Sequence, residues 1–171
     1  MKFIEENDSR GEFTVRGHFE SELFNTSTYQ KELDTLQEIS KEFVPHPLVP
    51  DRSYGTLFNN TDDHDTNLPL LAQMRDWWGI SNTKSRTYLL YKRWGGTSTV
   101  HTDPMKGDTR YLIFCSKWAP GQVWFIGDQC YTNWQIGSVI DFDFEKTSHG
   151  NANASNQLLA FMQCTTINEV H

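Results

Sequence analysis

The chain has little cysteine and no cysteine pattern. Cys115, Cys130 and Cys164 are odd in number, widely spaced and without a CxxC pair, which excludes both a disulfide framework and a zinc ribbon and points to a reducing compartment. Long apolar runs are absent too, and none approaches the length of a membrane span. The opening residues, MKFIEENDSR, hold no apolar stretch of the kind a secretory signal needs, so a cytoplasmic protein is expected. Runs of Lys or Arg are missing and the formal net charge is −7, which leaves no electrostatic footprint for a nucleic acid. There is no internal repeat and no low-complexity segment. These absences leave neither nucleic acid nor membrane as an expected partner.

What the chain does have is rings. Apolar residues make up 37% of its 171 positions and aromatics 13%, including six Trp and eleven Phe, so large rings replace aliphatic side chains in filling a core. A chain of this length reads as one domain that buries roughly 70% of its unfolded surface. Its character changes near residue 86. Residues 1–85 read as a helical and loop support region, with room for a short strand or two in 12–19. Leu33, Leu36, Ile39 and Phe43 recur at helical spacing, predicting a helix over 28–43 that the Pro45-to-Pro50 segment stops. A possible strand covers 53–58, and a second helix spans 68–78, with Pro69 in its first turn and Gly79 as its stop.

Residues 86–171 read as a β core. Period-two, β-rich stretches fall at 88–94, 98–103, 109–116, 122–126, 129–134, 138–144 and 158–165. Turns at Ala119-Pro120-Gly121 and Gly127-Asp128 separate some of them. Closely spaced short strands indicate an antiparallel sandwich or barrel, with the preceding helices covering one outer face of a sheet.

Three residues carry the chemistry. On a strand, His101 and Asp103 point the same way, and His149 follows 46 residues after Asp103. Two imidazoles and one carboxylate on one face of an octahedron leave three positions open, the arrangement of non-haem Fe(II) oxygenases. The competing cluster Asp62, Asp63, His64 and Asp65 reads as a solvated loop, since four adjacent residues cannot all face one centre. His18, His46 and His171 are scattered and read as surface residues. Trp94 and Trp118, beside turns, read as barrel packing or as walls of a substrate cleft.

Residues 88–104 (YLLYKRWGGTSTVHTDP), the segment WQIGSVIDFD that starts at Trp134, and HGNANAS from His149 resemble the 2-oxoglutarate/Fe(II) dioxygenases. Within them the chain is most similar to the aspartyl/asparaginyl β-hydroxylase group. The resemblance covers residues 86–165. It implies a double-stranded β-helix (a jelly-roll or cupin-like barrel) that binds Fe(II) through His101, Asp103 and His149. It further implies a hydroxylase that oxidises a substrate C–H bond while 2-oxoglutarate becomes succinate and carbon dioxide, on an Asp- or Asn-type side chain if the group holds. The alternative is a cupin-like metal or small-molecule binding module without turnover. The far carboxylate of 2-oxoglutarate needs a cation. Arg110, nine residues after His101, stands where the β-hydroxylase group carries an Arg, with a pairing to Asp108 as its other reading. Gln157 stands where the group's second Arg is expected. Lys117 matches the lysine that other branches use, and Tyr91 matches a tyrosine that faces the co-substrate in prolyl-hydroxylase relatives.

Overall fold

The computed structural model describes residues 1–39, 58–59, 68–81, 85–92, 96–103 and 109–166. Eleven strands form two sheets among them. The larger sheet contains β1 (Lys2–Ser9), β2 (Thr14–Glu20), β3 (Phe58–Asn59), β4 (Ser85–Lys92), β6 (Thr109–Phe114), β9 (Ser138–Asp141) and β11 (Leu159–Thr166), in the order β1-β2-β9-β6-β11-β4-β3. The smaller contains β5 (Gly96–His101), β7 (Gln122–Ile126), β8 (Gln129–Tyr131) and β10 (His149–Asn153), in the order β5-β10-β7-β8. All neighbours are antiparallel, and from β4 onward the chain passes back and forth between the sheets, apart from the β7–β8 hairpin within the smaller one, in a double-stranded β-helix. Closing one sheet over another in this way leaves few open strand edges.

Alternation along the strands sorts the larger sheet into two faces. Leu112 and Phe114 of β6, Leu159 and Phe161 of β11 and Ile140 of β9 point into the barrel, where they meet Trp124, Trp134 and Phe142. Phe114 stacks on Trp134 at 4.4 Å between ring centroids, and Trp124 meets Phe161 edge-on at 5.0 Å. The opposite face carries Ile113, Val139, Ala160, Met162 and Cys164, and is covered by α1 (Ser27–Ile39) and α2 (Pro69–Ser81) through Tyr29, Leu36, Leu71, Met74 and Trp78. The expected helical cover on one outer face is what forms.

The two helices are tied by a carboxylate. Glu32 of α1 is buried and accepts from the backbone N–H groups of Leu70 and Leu71 at 2.8 and 3.0 Å. These belong to the first turn of α2, where no carbonyl of the helix itself can reach. Pro69, at the first position, has no N–H to satisfy.

Several sequence expectations need correction. The first 85 residues are not only support: β1 and β2 extend the larger sheet, β2 pairing with β9 from Thr14↔Asp141 to His18↔Ser138. The N-terminal segment is charged and lacks clean alternation because β1 is an edge strand with one solvated side. Gly79 does not stop α2, which runs on to Ser81. The strand starting at His149 falls outside the period-two stretches, since HGNAN lacks β-branched residues; pairing on both sides with β5 and β7 holds it instead. Residues 40–57, 60–67 and 167–171 lie outside the described set, as do His46, Asp62, Asp63, His64, Asp65, Trp94, Asp108 and His171.

Candidate metal centre

β5 and β10 bring the three candidate ligands together. His101 ends β5 and sits opposite His149, the first residue of β10. Between His149 and Asn151 the register slips, β10 advancing two residues while β5 advances three; such a bulge re-aims side chains near a functional site. Asp103 lies just beyond the strand, where its N–H donates to the Phe144 carbonyl at 2.9 Å. That bond continues the course of β5 and holds the carboxylate beside the histidines.

The resulting geometry is compact. His101 Nε2 lies 3.3 Å from Asp103 Oδ1, and His149 Nε2 lies 3.5 Å from Asp103 Oδ2. The two imidazole centroids are 4.6 Å apart, and one ligand atom from each of the three residues falls within 4.8 Å of the others. Among the described residues this is the one such cluster of three or more His, Cys, Asp or Glu side chains. The His149 side chain is 4% exposed, Asp103 20% and His101 44%, so one side of the cluster faces the protein and the other is open.

His149 is oriented for coordination. Its Nδ1 lies 3.0 Å from the Thr147 carbonyl, which can only accept, so Nδ1 carries a proton and Nε2 is the ring atom turned toward Asp103, the one that a metal would take. A backbone partner of this kind fixes tautomer and ring orientation in metal sites. The ring is also walled by Phe142 and Phe144, at 5.1 and 4.8 Å, which stack on each other at 3.8 Å. Burial works to raise the Asp103 carboxyl, but the hydrogen bond from His149 and the charge of Arg110 outweigh it and hold the carboxyl below its ordinary range. Asp103 is therefore ionised, as a ligand must be.

Arg110 joins this cluster. It faces into the barrel on β6, donates to Asp103 Oδ2, and lies over the Phe144 ring at 4.9 Å. With the Gln163 amide oxygen turned inward, that oxygen accepts from Arg110 Nη1 at 2.7 Å and Nε at 2.9 Å. Arg110 thus bonds to a proposed ligand, a third arrangement beside the two expected from sequence. Phe144 was missed by sequence reasoning. Its carbonyl holds Asp103 while its ring supports both His149 and Arg110, and the only sequence signal was its place in the VIDFDF stretch.

The other co-substrate candidates do not reach this end. β6 and β11 run antiparallel, with Arg110 opposite Thr165. Lys117 follows the far end of β6 and Gln157 precedes the start of β11, and both line a separate hollow with residues of α1. Tyr91 pairs with Ala160, five rungs from Thr165, roughly 16 Å at the rise of a strand. Strand direction thus sets Lys117, Gln157 and the backbone of Tyr91 away from the rung of Arg110. The register sets a different residue at the metal end: Arg86 of β4 shares the rung of Thr165 and Arg110.

The Asn153-Ala154-Ser155 run is structural. Asn153 Nδ2 donates to the Gln157 carbonyl at 2.7 Å, the Ser155 N–H and hydroxyl both donate to Asn153 Oδ1, and Gln122 Nε2 reaches Ser155 Oγ and the Leu158 carbonyl. These bonds satisfy the buried turn between β10 and β11 and leave nothing aimed at a ligand. His18, expected free on the surface, is half-buried and bonds Glu6 Oε1 through Nδ1 at 2.7 Å.

No protein-family model and no curated protein matches this chain. Solved structures do. A prolyl-4-hydroxylase from Pseudomonas putida aligns over 93% of this chain and 94% of its own, with a TM-score of 0.56 and 10% identity. A cupin domain of an XRE-family transcriptional regulator from Enterobacter cloacae aligns over 67% and 97%, at 0.45 and 14%. A protein with a double-stranded β-helix domain from Klebsiella pneumoniae aligns over 75% and 85%, at 0.40 and 14%. At such identities the likeness is one of fold. The chain is a double-stranded β-helix, a fold that it shares with that prolyl-4-hydroxylase, with a two-histidine, one-carboxylate cluster at one mouth of the barrel.

Proposed function

We propose that the protein is an Fe(II)- and 2-oxoglutarate-dependent hydroxylase. The observation that carries this reading is the convergence of His101, Asp103 and His149 at the barrel mouth, with ligand atoms within 4.8 Å. The donor set fits the metal: two imidazole nitrogens and one carboxylate leave half of an octahedron open, and His101 stands on the open side. Iron with a bound 2-oxoacid supplies the oxidising power that side chains lack; the protein supplies orientation and exclusion of side reactions.

The chain's own residues divide the remaining work. Thr147 and Phe144 hold the ligands in place. Arg110, the cation beside Asp103, is the candidate partner for the far carboxylate of 2-oxoglutarate, because a guanidinium can grip a carboxylate with two parallel bonds. Arg86, whose backbone shares the rung of Arg110 two strands away, is the candidate second cation. The likeness to a prolyl-4-hydroxylase over the length of both chains supports the same assignment. The substrate, whether a peptide or a small molecule, would approach from the exposed side of His101.

Anaerobic titration tests the reading. Protein with Fe(II) and 2-oxoglutarate should develop a weak visible charge-transfer band, which His101→Ala abolishes. Wild-type protein that binds neither sinks the proposal. One observation favours a second reading, a metal-binding module without turnover: Arg110 is already engaged by Asp103 and Gln163. Succinate formation from 2-oxoglutarate, with or without a substrate, eliminates that alternative.

A further inference from the structure

Two of the three co-substrate candidates set away from the metal meet elsewhere. Lys117 and Gln157 lie at the rim of a hollow of about 520 Å³ at the opposite end of the barrel, between the start of α1 and the segment after β6. That volume is within the range of small-molecule sites. Its walls combine the apolar Phe24, Leu33, Trp118, Ile136 and Leu158 and the ring of Tyr29 with polar residues at the start of α1, Thr26, Ser27 and Gln30.

The walls are held rigidly. Trp118 Nε1 donates to the Gln122 carbonyl at 2.8 Å, and the Gln122 side chain accepts from the Ala119 N–H at 3.1 Å while bonding the Leu158 carbonyl. The Tyr29 hydroxyl is committed to the Cys115 carbonyl, so Tyr29 offers the hollow only its ring. Preformed walls of this kind lower the cost of binding.

The electrostatics point one way. The chain carries 22 Asp and Glu against 15 Lys and Arg, yet no residue lining the hollow is acidic. Lys117 is its cation and has no ion-pair or hydrogen-bond partner among the described residues. α1 begins at the same rim with no acidic residue in its first turn, so its positive end adds to the same field. One lysine and no arginine fork suit a monoanion more than a phosphate dianion, and the apolar walls disfavour a heavily hydrated group.

We infer that this hollow is a binding site for a small aryl or branched-chain carboxylate, separate from the metal centre. The carboxylate sits at Lys117 and the start of α1, and the apolar body lies against Trp118 and Ile136. The inference does not depend on the metal reading, because none of the metal-site residues borders the hollow.

The test uses 4-fluorophenylacetate as probe, followed by ¹⁹F NMR against the full chain. Saturable one-to-one binding is expected, displaced by phenylacetate. Lys117→Gln, an exposed site, should weaken it about fivefold, the scale of a surface charge pair. Ile136→Trp should fill the hollow and abolish it, with far-UV circular dichroism and melting unchanged in Lys117→Gln. 4-Fluorophenethylammonium should bind far more weakly. In protein labelled with ¹⁵N-tryptophan, the indole resonance of Trp118, assigned with Trp118→Phe, should shift and that of Trp124 should not. The inference is overturned by the absence of saturable binding, by equal binding of the ammonium, by an unaffected Lys117→Gln, or by a shift at Trp124, which pairs with Asn151 near His149.

Discussion

At the scale of single residues, Asp103 and Arg110 carry the most consequence. Their side chains face each other at the barrel mouth, 20% and 13% exposed, and each constrains what the other can do. If Arg110 grips a co-substrate, Arg110→Met should weaken 2-oxoglutarate binding at least tenfold while changing Co(II) affinity by much less. Isothermal titration with each ligand separates the two effects. Equal losses of metal and 2-oxoglutarate would mean that Arg110 serves only to hold Asp103. His101-x-Asp103 and His149 were legible in the sequence because ligand chemistry restricts residue type and because i, i+2 spacing has a direct meaning on a strand. Arg110 was legible as a cation near the site, but not its bond to Asp103, which depends on where a following strand lies. Phe144 had no ligand chemistry to mark it; its role comes from a carbonyl and a ring face.

At the scale of elements, α1 and α2 are joined through Glu32. Burial raises its carboxyl above the ordinary value, more than the bonds from Leu70 and Leu71 lower it. In the pH window between the ordinary glutamate value and the raised folded one, the native state therefore binds more protons than the unfolded chain, and stability falls as pH rises through that window. Urea unfolding measured across it should show this decline, and Glu32→Gln should flatten it; an unchanged slope would remove Glu32 as the cause. Glu32→Ala leaves two helix-start N–H groups without their partner and should cost about 1–3 kcal/mol by the same measurement. The sequence pattern located both helices to within a few residues, since apolar spacing and proline are local signals. It did not show that a residue of one caps the other, because that bond spans 38 positions of the chain. The strand at His149–Asn153 was hidden for a related reason: its residues favour turns, and only two neighbouring strands make it a strand.

At the scale of the whole molecule, the metal site is a clamp between distant segments. His101 and Asp103 come from one side of β6 in sequence and His149 from beyond β9, so a metal bound only by the folded chain must stabilise it. Ligand at a hundred times its dissociation constant adds about 2.7 kcal/mol. Calorimetric scans with excess Co(II) should show a raised Tm that is absent in His149→Ala. A metal-induced rise of equal size in His149→Ala would place the binding elsewhere.

By itself the sequence determined the β-barrel class, the helical cover of one face and the identity of three metal-ligand candidates, because periodicity, turn residues and ligand chemistry are written locally. The tertiary structure alone decided which end of the barrel each candidate occupies. Spacing along the chain put Lys117, Gln157 and Tyr91 near the co-substrate, but antiparallel strands reverse direction at every turn. A residue sixteen positions past His101 can return to the metal or finish at the opposite mouth. Strand register decides between them. It set Arg110 and the backbone of Arg86 on one rung at the metal end, and Lys117 with Gln157 around a second hollow.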